Sequence, residues 1–68
     1  MKNLIKVERA RNNVTQAELA DNVKVARQTI IAIESGRFVP STMLALKIAK
    51  VLKCSVDVLF ELEETDWQ

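Results

Sequence analysis

The sequence predicts an all-α fold, a compact bundle of five short helices, and three observations carry that prediction. Apolar residues recur at three- and four-residue spacing in successive short windows. Thr15, Ser41 and Ser55, side chains suited to start helices, stand just ahead of three of those windows. The joints between windows are short, and one of them, residues 22–26, leaves room only for a tight turn. With 68 residues and 49% apolar content, the chain suffices for one small domain, residues 1–68.

Leu4, Ile5 and Val7, with Ala10 nearby, predict a first helix over residues 3–12. Asn12-Asn13 stops it, because Asn tolerates the left-handed backbone of helix ends. Thr15 begins the second helix, and Glu18 three residues on completes a capping box. Ala17, Leu19, Ala20 and Val23 form the inward face of that helix. Ile30, Ile33 and Glu34 mark a third helix, with Val25 leading in. Two helices joined this closely must cross steeply, which makes residues 15–35 a helix-turn-helix unit.

Gly36, after Ser35, is the natural glycine stop of the third helix. Pro40-Ser41 restarts the chain, and Leu44, Ile48, Ala49 and Leu52 supply the core stripe of a fourth helix. Met43, Leu46 and Val51 widen that stripe, so something besides the helix's own core is expected to cover part of it. Ser55 is expected to cap a last helix from Val56 to about Leu59. Residues 60–63 alternate apolar and acidic, a short strand signal. The remainder, residues 61–68, reads either as an acidic tail whose aromatic folds back on its own domain or as a dimer contact. The dimer reading is preferred: Phe60, Leu62 and Trp67 carry more apolar surface than an isolated tail needs, and with the N-terminus they would cover a partner.

Composition narrows function. The chain has no histidine, the commonest general base and metal ligand. Its single cysteine, Cys54, rules out an internal disulfide and a cysteine cluster for zinc, and reads as a small buried hydrophobe. The one glycine, Gly36, is used as a helix stop, so no phosphate-cradling loop exists. Neither a catalytic residue nor a cofactor, metal or small-molecule ligand is evident. No apolar run approaches a membrane span and no signal-peptide layout opens the chain, so it is read as cytoplasmic. A net charge of +1 hides a gradient: residues 1–53 hold all ten Lys and Arg with four acids, whereas residues 54–68 hold five acids and no base. A basic body with an acidic end suits a surface that meets phosphate on one side.

The third helix carries the chemistry. Burying Ile30 and Ile33 turns Arg27, Gln28, Ile31 and Ala32 outward. Arg27, Gln28 and Thr29 then lie at the N-terminus, where a groove-inserted helix reaches base edges. Arg and Gln have the paired donors and acceptors that read guanine and adenine bidentately; Ile31 and Ala32 offer only contacts to thymine methyls.

The segments TQAELA, RQTI, IESG, PSTMLALKIA and SVDVLF, in this order and spacing, resemble the Cro and phage-repressor helix-turn-helix (Xre) family over residues 4–60. The resemblance implies a lambda-repressor-like bundle with the third helix in the major groove of double-stranded DNA. It also implies phosphate contacts by Gln16 and by Arg37 in the following loop, and a structural ion pair between Arg9 and Glu34. Two departures fall in the turn. Lys24 stands where the family usually has glycine, and Ala26 where it favours a Ser or Thr cap that also meets phosphate. Lys24 adds a positive charge near the DNA backbone, and Lys53 replaces another family glycine. The implied function is sequence-specific transcription regulation, as a repressor, by a homodimer on a palindromic operator. The competing reading is a protein-interaction module, such as an antitoxin or antirepressor, on the same fold.

Overall fold

The computed structural model describes residues 1–68. Five helices and one small sheet follow in the order β1 (Lys2–Asn3), α1 (Ile5–Arg11), α2 (Gln16–Val23), α3 (Arg27–Glu34), α4 (Thr42–Val51), α5 (Val56–Leu59) and β2 (Phe60–Glu61). A 3-10 turn, Glu64–Trp67, closes the chain. Ile5, Leu19, Ile30, Ile33, Ile48, Leu52 and Leu59 are fully buried, so every α-helix, or the residue that ends it, sends at least one large side chain into a single core.

Local chemistry sets the helix limits. Thr15 and Glu18 form the reciprocal capping box at α2, with bonds of 3.0 and 2.9 Å. The bonds from Thr15, its backbone N–H foremost, hold the Glu18 carboxyl below its ordinary pKa. Ser41 caps α4 by accepting from the Leu44 N–H at 3.2 Å. Ser55 makes no such bond at α5, contrary to expectation. Asn13, Lys24 and Lys53 all adopt positive φ at helix ends, 54°, 62° and 58°. Two lysines therefore occupy a conformation that glycine adopts without strain.

The first helix turns a different face inward from the one its apolar residues suggest. Leu4 and Val7 are about half exposed and Ala10 is exposed. The inward stripe is Ile5, Glu8, Arg9 and Asn12, spaced i, i+3, i+4 and i+7. Its polar members are satisfied by specific partners. Asn12 donates to the Leu52 carbonyl at 2.9 Å, and Arg9 to Glu34. Ala17, expected on the inward face of α2, is also exposed.

The strand signal after α5 is real but shorter than residues 60–63. Its partner is the N-terminus of the same chain: β1 and β2 pair antiparallel, with Lys2 opposite Glu61 and Asn3 opposite Phe60. Phe60, expected at a dimer contact, lies in the core of its own chain, 8% exposed. Leu62 and Trp67 remain exposed, so the aromatic does not fold back onto the domain. The end of the chain is nevertheless fixed. The Met1 ammonium sits 2.9 Å from Glu63 and 3.2 Å from Asp66. No helix is long and apolar enough to cross a membrane.

Candidate nucleic-acid interface

The exposed face of α3 follows from its two anchors. Ile30 and Ile33 are buried, so Arg27 and Gln28 stand exposed at the first turn. Thr29, Ile31 and Ala32 are half-buried along the same helix. Ala26 occupies the N-cap with extended backbone and no side-chain cap, leaving the first N–H groups of α3 to an outside acceptor. Lys24 and Arg37 are exposed and flank α3 three residues before its first residue and three after its last. The carbonyl of Ala32 accepts from the Ser35 hydroxyl and from the backbone N–H groups of Arg37 and Phe38, at 3.0, 3.0 and 3.2 Å. Gly36, at φ 81°, permits this closure, and Arg37 is steadied by donating to the Ser35 hydroxyl at 3.1 Å.

A chain of hydrogen bonds ties this surface to the interior. Arg9 grips Glu34 through Nε and Nη2, at 2.7 and 3.3 Å, with both side chains largely covered. Its third donor, Nη1, reaches the Val14 carbonyl at 3.2 Å. Gln16 donates from Nε2 to Glu34 at 3.2 Å and accepts from Arg27 at 3.2 Å through Oε1. The two charged neighbours dictate the amide's orientation, since a carboxylate needs the donor and a guanidinium needs the acceptor. Arg27 is thus held by a side chain that is itself held by a covered ion pair. Arg9, Gln16 and Arg27 line a cleft with Asn13, Val14 and Thr15 at the start of α2, where backbone donors and the helix dipole favour an anion.

Of the residues singled out from sequence, Arg27 and Gln16 are in direct contact, and Gln16 also joins the Arg9–Glu34 pair. Lys24, Gln28 and Arg37 share the α3 side of the molecule without touching that cluster through a hydrogen bond or ion pair. The Gln16–Glu34 bond went unread from the sequence; its partners lie 18 residues apart and no local spacing marks them.

A model of the helix-turn-helix family of Cro and C1 type matches residues 5–59, most of the chain and all five helices. The chain belongs to the Cro and phage-repressor helix-turn-helix family. Similar proteins share nearly its full length. An HTH-type transcriptional regulator of Methanocaldococcus jannaschii is 47% identical over 66 residues, covering 97% of this chain and 100% of that protein. YgzD of Bacillus subtilis, also described as an HTH-type transcriptional regulator, is 48% identical over 94% of this chain and 97% of its own. A third, from Archaeoglobus fulgidus, is 42% identical over 100% of this chain and 97% of its own. Residues 15–35 hold α2, the turn and α3, and the cluster around Gln16 lies at the start of α2.

Proposed function

We propose that this chain is a cytoplasmic transcription regulator that represses by binding a palindromic operator as a homodimer. The observation that carries the reading is the arrangement at the start of α3: Arg27 and Gln28 are exposed, and Arg27 is braced through Gln16 to a covered ion pair. Side chains fixed before binding lose less conformational freedom on meeting DNA. In this reading Arg27, Gln28 and Thr29 choose the site, with Ile31 and Ala32 against thymine methyls. Phosphates are held by Gln16, Lys24, the backbone N–H groups at Ala26 and Arg37.

One recognition helix reads only about four or five base pairs, so two copies must dock roughly one helical turn apart, about 34 Å. Lys24 and Arg37 from both copies would neutralise about four phosphates, giving a slope of log affinity on log salt of roughly −4. Repression follows from occupancy: a dimer seated over a promoter excludes polymerase.

The experiment is selection from random duplexes, paired with a salt titration. An enriched inverted repeat with half-sites one turn apart is the expected result. A protein that enriches no sequence even at low salt refutes operator reading and favours the protein-interaction role.

A further inference from the structure

We infer that each operator half-site carries a guanine whose O6 and N7 are gripped by Arg27, and that Gln16 and Glu34 are positioning residues that keep the guanidinium on that base. This deepens the operator-reading function above and rests on it. An exposed arginine with no tether settles on whichever phosphate is near, a contact that carries no sequence information. Arg27 is exposed but tethered, its Nη2 donating to Gln16 Oε1 at 3.2 Å. Gln16 is neutral, so the charge of Arg27 stays available to the DNA.

The tether has a fixed polarity. Gln16 Nε2 donates to Glu34 Oε1 at 3.2 Å, and Glu34 is held in turn by Arg9 at 2.7 and 3.3 Å. Turning the amide over would set its oxygen against the Glu34 carboxylate and its NH2 against the guanidinium, replacing two hydrogen bonds with two repulsions. The anchoring end is shielded, the Glu34 side chain being 11% exposed and that of Arg9 15%, so little water competes for it. The other Nε2 hydrogen of Gln16 remains for a phosphate. Arg27 gives one N–H to Gln16 and keeps the rest, a forked donor with no acceptor of its own. In the major groove guanine alone matches a fork of donors, because it presents two acceptors side by side, O6 and N7. Adenine would set its N6 donor against the guanidinium, cytosine offers a donor, and thymine offers O4 beside a methyl group.

The test uses the selected operator as duplexes in which each guanine of a half-site is replaced in turn by inosine or by 7-deazaguanine, with binding read by fluorescence anisotropy. Inosine keeps O6 and N7 and lacks only the minor-groove amino group, whereas 7-deazaguanine lacks N7. At one position 7-deazaguanine should weaken binding by the wild-type protein about tenfold, and inosine by less than about twofold. Arg27→Ala should erase that difference. Gln16→Ala, beyond a uniform loss from its phosphate contact, should shrink the difference about threefold or more and leave discrimination at other positions intact. In an Arg27→Ala background it should change no base preference. Thermal melts of each variant monitor folding, and the base-analogue comparison needs only the wild-type chain. An operator whose every guanine tolerates 7-deazaguanine, or whose sensitive position is unchanged by Arg27→Ala, overturns the guanine assignment while operator reading stands. If Gln16→Ala weakens all duplexes equally, Gln16 is a phosphate contact alone and the positioning role falls. Selection that enriches no sequence removes operator reading itself, and this inference with it.

Discussion

Lys24→Gly tests two ideas with one substitution. Lys24 ends α2 at φ 62° and ψ 46°, its N–H directed at the carbonyls of Ala20 and Asp21. A side chain in that conformation brings its Cβ against the following carbonyl, at roughly 1–2 kcal/mol. Glycine removes the contact but gives the unfolded chain more freedom, which offsets roughly 0.5–1 kcal/mol. The net gain is about 0.5–1 kcal/mol, a rise in Tm of roughly 3–7 °C for a chain this size. The same change deletes a cation proposed to lie at the DNA backbone. Losing it from both copies should flatten the salt slope by roughly 1.8, from about −4 toward −2. Lys53→Gly supplies the control: φ is 58°, the same relief is expected, and Lys53 lies outside the proposed contacts. Thermal melts and fluorescence-anisotropy titrations at several salt concentrations give both readouts. A lower Tm for Lys24→Gly would show that the lysine makes contacts worth more than its strain. A rise in Tm with an unchanged salt slope would remove Lys24 from the phosphate-binding set.

Four further outcomes are expected. Arg9→Ala leaves the covered Glu34 carboxylate with Gln16 as its one remaining side-chain partner and should cost about 3 kcal/mol of stability; unchanged melting would show that the pair contributes nothing net. Ala26→Ser restores a cap to α3 and should add about 0.5–1 kcal/mol, read by denaturant midpoint, with no gain if the hydroxyl fails to reach the Thr29 N–H. Gln28→Ala should weaken binding to the selected site by roughly 1–3 kcal/mol and to random DNA very little, so equal losses would exclude base reading. The Met1 ammonium is raised above its ordinary 8.0, Glu63 being the first cause, and Asp66 is lowered below 3.8 by the Glu63 N–H. The raised group stabilises the docked tail fully below pH 8 and loses that effect as pH climbs through its folded pKa; the lowered one stabilises above 3.8 and loses it as pH falls further. Trp67 fluorescence should therefore hold steady between about pH 4 and 8 and change on both sides, whereas a flat profile would mean the clamp does not order the tail.

How much was legible varied with how local the governing interaction is. The capping box at Thr15 and Glu18, the cap at Ser41 and the glycine stop at Gly36 are contacts within four residues, so spacing alone exposes them. The positive φ at Lys24 and Lys53 is signalled only by the resemblance, which implies glycine at both positions, because lysine itself gives no such signal. The inward face of α1 was misread for a physical reason. A seven-residue helix packed on a small domain buries one narrow stripe, and here Glu8, Arg9 and Asn12 fill most of it, Arg9 and Asn12 satisfied by partners distant in sequence and Glu8 3.8 Å from Arg11 on the same helix. Periodicity counts apolar residues and is blind to a polar stripe made acceptable by remote donors and acceptors.

The sequence by itself determined the helical class, the order and approximate limits of the five helices, and the tight turn that joins α2 to α3. These follow from short-range propensity and from where apolar side chains recur. The tertiary structure alone decided three things: that β1 and β2 pair within the chain, that Phe60 joins its own core, and that Gln16 links Arg27 to the Arg9–Glu34 pair. Each depends on groups brought together from 11 to nearly 60 residues apart. Their free energy comes from excluding water and aligning donors with acceptors across the fold, and no local pattern encodes that.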